Sequence, residues 1–310
     1  MRAARYHEYG TEQVLVIEET ELPTPSDDEV LVKVAATSFN PIDAAIRAGY
    51  LQSGVALEFP HTPGIDVAGV VVRRGANVTA PAVGDAVVAF LPLGANGATA
   101  EFVLAPSDAV AAAPTNIPLA DAAAVPAVGL TAWQALFEHA DLRFGQRILI
   151  NGAGGAVGGY AIQLASQAGA FVIATASPRS TDSVRRRGAD QIVDHTTTLI
   201  SDAVSEQVDA VLNLARTSTE ESAAVLALIR PGGVFVTTVP PAPISTDGVR
   251  IVEMYVRGDA SQLTEIVAKI DAGQLRVDVA NRVSFAEIAS IHEASDLGIL
   301  RGKVVLTPVP

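Results

Sequence analysis

The sequence predicts a two-domain α/β protein, in which a β-rich domain is joined to a doubly wound parallel sheet. Three observations lead to this prediction. The chain has 310 residues, which is long for one domain. Short Val-rich segments dominate up to about residue 110, and alternating strand and helix patterns begin near residue 118. A glycine-rich loop lies between a strand and a helix of the alternating region, as in dinucleotide-binding folds.

The composition limits the classes of function. Hydrophobic residues make up 49% of the chain and charged residues 18%, which is enough for a buried core and excludes a disordered chain. The net charge of −13 repels phosphate backbones, so we expect no nucleic-acid partner, and the basic run 185–187 is interpreted as a solvated helix face. No apolar run reaches the roughly 18–20 residues that cross a bilayer, and the first residues lack the apolar stretch of a secretory signal. We therefore expect a cytoplasmic protein with no membrane partner.

The elements of the first region follow from local patterns. Segments 29–36, 65–72 and 85–90 are Val-rich, as half-buried strands are, and Gly and Pro residues separate them. Their close spacing favours a compact, barrel-like β domain. One helix is predicted from Pro41, which suits a first turn, to Gly49.

The second region alternates between the two periodicities. Helices are predicted at 160–168, through Arg187 and at 263–270. Strands are predicted at 147–151, 171–176, 192–193, 208–214 and 234–239, and a strand-like tail at 301–306. Strand–helix–strand alternation implies crossover connections and a parallel, doubly wound sheet.

The loop at 151–159 has the sequence NGAGGAVGG and follows the strand at 147–151. Glycines allow a backbone to approach a pyrophosphate, and a helix N-terminus offers free N–H groups and the positive end of a dipole. The glycines are spaced as Gly152-x-x-Gly155-x-x-Gly158, one residue longer than the strict dinucleotide motif. A tight turn without a ligand is the alternative interpretation. We predict cofactor contacts from this loop by Gly152, Gly154, Gly155, Ala156, Val157 and Gly158.

The tip of the next strand indicates which cofactor binds. An NAD site normally has an acidic residue about 20 residues past the loop, bonded to the ribose hydroxyls. Here the strand ends without an acid, and Ser177 and Arg179 follow it. A serine hydroxyl and a guanidinium can both donate to a 2′-phosphate. We therefore predict NADPH as the cofactor, the alternative being that both are ordinary surface residues.

Several motifs, in this order, resemble the quinone oxidoreductases of the medium-chain dehydrogenase/reductase superfamily. They are SFNPID (38–43), PGIDVAGVV (63–71), GDAV (84–87), GLTAW (129–133) and GKVV (302–305), together with the glycine loop. The resemblance covers essentially the whole chain. It implies a GroES-like β domain formed by 1–117 and 262–310, a Rossmann domain at 118–261, and an active site in the cleft between them.

The same superfamily includes zinc alcohol dehydrogenases, in which Cys and His ligands stand at the positions of Asn40 and Ile65 and a third ligand falls near Ala127. None of these residues binds zinc through its side chain, and the chain has no cysteine at all. The four-cysteine structural lobe would follow Phe90, where only 91–99 are found. We predict that neither zinc site exists, which makes metal-assisted alcohol oxidation an unfavourable interpretation.

The resemblance also nominates side chains for the cleft. Asn40 and Asp43 would line its floor, Asn40 bonding a carbonyl or the cofactor and Asp43 either acting there or fixing the loop. Tyr50 is a candidate proton donor or aromatic wall, with surface packing as the alternative. Thr131 would contact the nicotinamide or its ribose. The alternative is an ordinary threonine at the start of a helix.

The adenosine end of the cofactor site is assigned in the same way. His195 stands where relatives often carry a Tyr that touches the 2′-phosphate, and a protonated histidine could do the same; an exposed histidine without a role is the alternative. Ala215, Val239 and Lys303 complete the predicted cofactor contacts.

The predicted function is hydride transfer from NADPH to a quinone or an α,β-unsaturated carbonyl compound, a small-molecule electron acceptor. Two alternatives remain: reduction of an enoyl thioester of polyketide type, and a structural or regulatory protein that holds NADPH without turnover. The loops 50–59 and 240–249 are expected to set the size of the substrate pocket. By resemblance we also expect a homodimer, formed through the sheet edge near 250–256.

Overall fold

The computed structural model describes residues 1–244 and 248–308, so part of the 240–249 loop lies outside the described residues. It divides the chain into two compact units. The first unit comprises Met1–Leu130 with Arg257–Pro310, and the second comprises Thr131–Val256. The sequence placed these boundaries after residues 117 and 261.

The strands are numbered along the chain as β1 (Arg2–Arg5), β2 (Val16–Glu19), β3 (Glu29–Ser38), β4 (Asp66–Arg74), β5 (Ala86–Phe90), β6 (Phe102–Pro106), β7 (Val110–Ala112), β8 (Arg147–Asn151), β9 (Phe171–Ala176), β10 (Gln191–Asp194), β11 (Val208–Asn213), β12 (Ile229–Thr237), β13 (Arg250–Glu253), β14 (Asn281–Ser284) and β15 (Val304–Thr307). The α-helices are α1 (Pro41–Arg47), α2 (Leu119–Ala122), α3 (Pro126–Trp133), α4 (Ala156–Gln167), α5 (Thr181–Arg186), α6 (Ile200–Ala203), α7 (Thr219–Leu226), α8 (Ala260–Asp271) and α9 (Ile288–Asp296). Among the described helices, none combines the length and the apolar character that crossing a bilayer requires.

The first unit is built on a seven-stranded sheet whose order is β14-β15-β3-β4-β5-β7, with β6 paired to β3. Strand β15 runs antiparallel to β3, so residues 304–307 join the same sheet as residues 29–38. Apolar side chains such as Val32, Val67 and Val87 are fully buried in one cluster. Helix α1 follows β3 directly, and it ends before Gly49, whose φ of +82° is a conformation that glycine adopts without a steric penalty.

The second unit is a six-stranded parallel sheet with the order β10-β9-β8-β11-β12-β13. Its central strands are buried along most of their length, as Leu149, Ile173, Val211 and Phe235 illustrate, which is typical of a sheet covered on both faces. The chain runs outward from β8 to β10 and then returns to β11 on the other side of β8. Ligands of open parallel sheets bind at such a reversal, outside the carboxyl ends of the strands.

The predicted strands 147–151 and 171–176 coincide with β8 and β9. Helix α4 begins at Ala156 rather than at the predicted 160, because Gly155 is its N-cap. Ala156, Val157 and Gly158 therefore form the first turn of a helix, not part of a loop.

Candidate functional site

Asn40 lies at the centre of a buried polar group in the first unit, between the end of β3 and the start of α1. Its Nδ2 donates to Asp66 Oδ2 at 2.8 Å and to the Ser38 carbonyl at 3.3 Å. Its Oδ1 accepts from Lys303 Nζ at 2.6 Å. We call Ser38, Asn40, Asp66 and Lys303 the Asn40 cluster. Both N–H groups of the amide are used within it, so Asn40 retains capacity only to accept a further hydrogen bond through Oδ1.

Asp66 and Lys303 form the buried ion pair of this cluster. Asp66 has no exposed surface, and its carboxylate accepts from Ser38 Oγ at 2.5 Å and from the Ala127 backbone N–H at 2.7 Å. Lys303 Nζ lies 3.4 Å from Asp66 Oδ2 and also donates to the Phe39 carbonyl at 3.1 Å. Burial lowers the pKa of Lys303, and the two nearby carboxylates oppose that effect. All three ammonium donors are engaged inside the first unit, so the predicted contact of Lys303 with the cofactor stays a prediction.

Asp43 occupies the third position of α1 and holds the turn that precedes the helix. Its carboxylate accepts from the Asn40 N–H at 2.8 Å and from the Gly64 N–H at 3.2 Å. Burial raises the pKa of Asp43 to about 7, and these backbone donors oppose the rise. The geometry favours the interpretation in which Asp43 fixes the loop, because each carboxylate oxygen is already bonded to the backbone.

A small cavity borders Asp43, and Gly64, one of its two backbone donors, also lines it. Tyr6, His61 and Thr62 line it together with Asp43 and several apolar residues. The Tyr6 and His61 rings meet edge to face at 5.3 Å between centroids. Burial lowers the pKa of His61 to about 4, so the ring is neutral at neutral pH, and burial raises the pKa of Tyr6. Sequence patterns gave His61 no role.

In the second unit the glycine loop joins β8 to α4, at the point where the strand order reverses. Gly152 has a φ of +84°, and a side chain at Gly158 would lie 2.6 Å from the Ala153 backbone, so both positions require glycine. Among the described residues, the backbone N–H groups of Ala156, Val157 and Gly158 have no acceptor. Three free donors at the start of a twelve-residue helix suit an anionic group such as a pyrophosphate.

The residues predicted to bind the adenosine phosphate lie at neighbouring strand ends. Ser177 and Arg179 follow β9, and His195 follows β10, where its N–H donates to the Ala176 carbonyl at 3.1 Å. Arg179 is exposed and has no ion-pair or hydrogen-bond partner within 1–244 and 248–308. Its guanidinium is therefore available to a phosphate, and His195 is also exposed.

Of the remaining predicted residues, two lie at the edge of the sheet that carries the glycine loop and two lie elsewhere. Thr131 is buried in α3. Tyr50 follows α1 and is 82% exposed, which fits surface exposure at least as well as a role in a site. Ala215 and Val239 lie just beyond β11 and β12, so both are at the carboxyl edge of the parallel sheet.

The positions that correspond to catalytic zinc ligands do not offer a donor set for zinc. Asn40 has its amide engaged with a lysine and a carboxylate, Ile65 is a buried aliphatic residue, and Ala127 has only a methyl side chain. The described part of the chain holds no group of three His, Cys, Asp or Glu side chains arranged to bind a metal ion. The Lys303 ammonium is part of the same cluster, and its positive charge disfavours a second cation there.

Sequence patterns missed Ser38, Asp66 and His61. Asp66 carried a detectable signal, since it is the single charged residue in the apolar run 65–72. A charge in such a run is almost never buried without a partner. The partner itself, Lys303, could not be identified locally.

Two family models match the chain. The model described as an alcohol dehydrogenase GroES-like domain matches residues 26–115, and the model described as a zinc-binding dehydrogenase matches residues 187–306.

Among curated proteins, a chloroplast envelope quinone oxidoreductase homolog of Arabidopsis thaliana is 31% identical over 99% of this chain and 98% of its own length. A chloroplastic quinone-oxidoreductase homolog of Spinacia oleracea is 40% identical, over 64% of this chain and 62% of its own. A mitochondrial NAD(P)H oxidoreductase of Danio rerio is 31% identical over 90% and 84%.

Solved structures agree with these matches. The quinone oxidoreductase from Coxiella burnetii has a TM-score of 0.86 at 27% identity, with 99% of both chains covered. A mycobacterial protein solved in complex with NADPH has a TM-score of 0.86 at 26% identity, with 99% of this chain and 100% of that chain covered. The CurK enoyl reductase has a TM-score of 0.87 at 26% identity, with 99% of both covered.

The predicted cytoplasmic location is contradicted by these relatives, which are named for the chloroplast, the chloroplast envelope and the mitochondrion. The prediction rested on the lack of an apolar signal. Organellar transit segments are amphipathic and rich in Arg and Ser, so a search for apolar segments does not detect this class of targeting signal.

Proposed function

The chain belongs to the quinone oxidoreductase family of the medium-chain dehydrogenase/reductase superfamily, and from this premise we propose that it reduces a quinone or an α,β-unsaturated carbonyl compound with NADPH and without zinc. It is an oxidoreductase with a nicotinamide-binding fold. The observation that carries the finer proposal is the Asn40 cluster, in which an amide, a carboxylate and a lysine stand where a metal centre would need ligands.

Two features of the second unit support NADPH. The free N–H groups at the start of α4 suit the pyrophosphate, and the strand tip beyond β9 offers a hydroxyl and an unpaired guanidinium instead of an acid. A carboxylate at that tip would repel a 2′-phosphate, whereas Arg179 attracts it. Bound there, the dinucleotide would supply the hydride of the reaction.

The chain's own residues then position the reactants. Asn40 accepts a hydrogen bond through Oδ1 and donates none outside the cluster, so it suits an N–H or O–H group of the cofactor or acceptor and not a carbonyl oxygen. This narrows the sequence-based hypothesis, which allowed Asn40 to bond a carbonyl. Proton delivery to the reduced acceptor is assigned to Tyr50 or to water, since the donors of Lys303 are all engaged.

Zinc independence is supported by the same cluster. A zinc ion needs several electron-pair donors that are free to coordinate, and the amide of Asn40 is held by two charged neighbours. Placing a divalent cation beside the Lys303 ammonium would also be electrostatically unfavourable.

The test is an acceptor panel. NADPH consumption should be measured spectrophotometrically with quinones of graded size and with simple enones, for the parent protein and for Asn40→Ala, with Asn77→Ala as the matched control because Asn77 is an exposed asparagine bonded to Asp28. We expect turnover by the parent and by Asn77→Ala, and a loss of about a hundredfold in Asn40→Ala, because small displacements of donor and acceptor are costly. An inactive parent that binds NADPH would contradict the proposal in favour of a protein that holds the cofactor without turnover.

One specific similarity favours a second candidate, an enoyl thioester reductase. The CurK enoyl reductase matches 99% of this chain at 26% identity. Enoyl thioesters of increasing acyl length, offered beside the free enones, separate the two candidates. A preference for thioesters that grows with acyl length would replace the quinone or enone assignment.

A homodimer through strand β13 completes the proposal. This strand is the last of its sheet and pairs only with β12 among the described residues, and its Ile251 and Val252 are half-buried. An unpaired strand edge is a template for pairing with a second copy. Sedimentation velocity should give twice the 32.0 kDa chain mass, and a monomer at all concentrations would contradict it.

A further inference from the structure

Four polar side chains lie side by side at the carboxyl edge of the parallel sheet. They are Thr175 on β9, Asn151 on β8, Asn213 on β11 and Thr237 on β12, and all four are buried. Asn213 is in register with Asn151 on one side and with Thr237 on the other. We call these four residues the polar row.

Hydrogen bonds run through the polar row in one direction. Thr175 Oγ1 donates to Asn151 Oδ1 at 3.0 Å, and Asn151 Nδ2 donates to Asn213 Oδ1 at 2.8 Å. Asn213 Nδ2 donates to Thr237 Oγ1 at 3.3 Å, and Thr237 Oγ1 donates to the Val239 carbonyl at 3.1 Å. Every donor and acceptor has a compatible role, so the orientation of both amides and both hydroxyls is determined by the network.

The polar row also bonds to the backbone of the loops that follow these strands. The Gly152 N–H donates to Thr175 Oγ1 at 2.9 Å, and the Val239 N–H donates to Thr237 Oγ1 at 3.0 Å. Asn213 Nδ2 donates to the Ala215 carbonyl at 3.0 Å. Gly152, Ala215 and Val239 are three of the predicted cofactor contacts, and each is tied to the row through its main chain.

The strands of the sheet pair through main-chain hydrogen bonds, which these side chains do not provide. Neighbouring positions are filled by buried aliphatic residues such as Ile150 and Leu212, and replacing a hydrogen-bonded pair by apolar residues of similar shape is often neutral for stability. Burying a polar network there costs desolvation free energy, and its main effect is to hold the surrounding groups in one defined geometry. That geometry is the position of three loops at the reversal of strand order.

We propose that the polar row positions the glycine loop and the loops after β11 and β12 for dinucleotide binding, with Thr175 and Thr237 as the positioning residues at its two ends. The proposal rests on the proposed function, since it requires that a nicotinamide dinucleotide binds at this edge. None of the four side chains has to touch the dinucleotide. Their effect on binding passes through the backbone of Gly152, Ala215 and Val239.

The test uses isosteric replacements in the full-length protein. Thr175→Val and Thr237→Val each remove a hydroxyl without a change of shape, and Thr175→Ser keeps the hydroxyl. The dissociation constant for NADPH should be measured by fluorescence titration, together with the thermal unfolding midpoint of each variant. Val211→Ala serves as the matched control, because Val211 is buried in the same sheet and is not part of the polar row.

We expect the Val variants to bind NADPH about tenfold more weakly, which corresponds to one lost hydrogen-bonding arrangement. Thr175→Ser should bind within about twofold of the parent. Val211→Ala should lower the unfolding midpoint without changing the dissociation constant. If both Val variants are folded and bind like the parent, the proposal is overturned while the proposed function stands. If weak binding follows the unfolding midpoint in all variants, Val211→Ala included, the row is only structural. A parent that binds neither NADPH nor NADH would overturn both.

Discussion

Removing the Lys303 ammonium should destabilise the first unit far more than removing a surface charge. Lys303→Met keeps the length and apolar stem of the side chain but leaves the Asp66 carboxylate, which has no exposed surface, without its cation. Breaking one partner of a buried pair costs about 3–5 kcal/mol, and here the Asn40 Oδ1 and the Phe39 carbonyl lose a donor as well. That is a large part of the roughly 5–15 kcal/mol that keeps a typical protein folded.

Equilibrium denaturation with urea measures this loss, and a double-mutant cycle with Asp66→Asn isolates the pair. The double variant should be more stable than the sum of the single losses predicts, by about 2–3 kcal/mol, because it no longer buries an unpaired charge. Arg185→Met is the control: Arg185 and Asp182 are 64% and 81% exposed at 3.1 Å, and such pairs are worth at most about 1 kcal/mol. Equal losses for Lys303→Met and Arg185→Met would refute the view that the Asn40 cluster is held by a buried ion pair.

Three further predictions concern titration, cofactor choice and metal. Burial raises the pKa of Asp43 from 3.8 to about 7 in the folded state, so its contribution to the free energy of unfolding is fully present below pH 3.8 and is lost as the pH rises through about 7. Asp43→Asn should therefore become more stable relative to the parent as the pH rises. Parallel pH profiles of unfolding for the two proteins would contradict this. Arg179→Ala should reduce the preference for NADPH over NADH by about tenfold or more, since a hydrogen bond to a charged group is worth roughly 1.5–3 kcal/mol; competitive titration with both cofactors checks this, and an unchanged ratio would count against the phosphate contact. Metal analysis of the purified protein should find zinc far below one atom per chain, with activity unaffected by chelators, and stoichiometric zinc whose removal abolishes activity would reverse the interpretation of the Asn40 cluster.

The second unit was the easier part to predict from sequence. Strands β8 and β9 are short apolar runs that end at polar or glycine residues, so their limits are visible locally. Strand β13, with the sequence RIVE, is expected only through the resemblance, as the sheet edge near 250–256, because two of its four residues are charged and exposed and its own pattern does not indicate a strand. The start of α4 was misplaced by four residues because glycines disfavour a helix in isolation and tertiary packing overrides that preference.

The candidate site divides in the same way. The glycine loop is contiguous in sequence, so its spacing could be recognised directly. Asp66 and Lys303 are 237 residues apart, and no local pattern indicates that they meet. The polar row also could not be predicted from local patterns. Asn151 and Asn213 are ordinary polar residues at strand ends, and only the parallel register places them side by side.

The position of β15 in its sheet has a consequence for biosynthesis. This strand pairs with β3, but it is synthesised after the whole of the second unit. Until it is made, the edge of β3 near Thr37 and Ser38 has no partner strand. Lys303 arrives at the same late moment, and until then Asp66 is a carboxylate in an apolar strand with no counter-ion. Exposed strand edges recruit other chains, and domains fold as units while they emerge. The second unit is complete in the nascent chain before residues 304–307 are made, so it can fold before β15 pairs with β3.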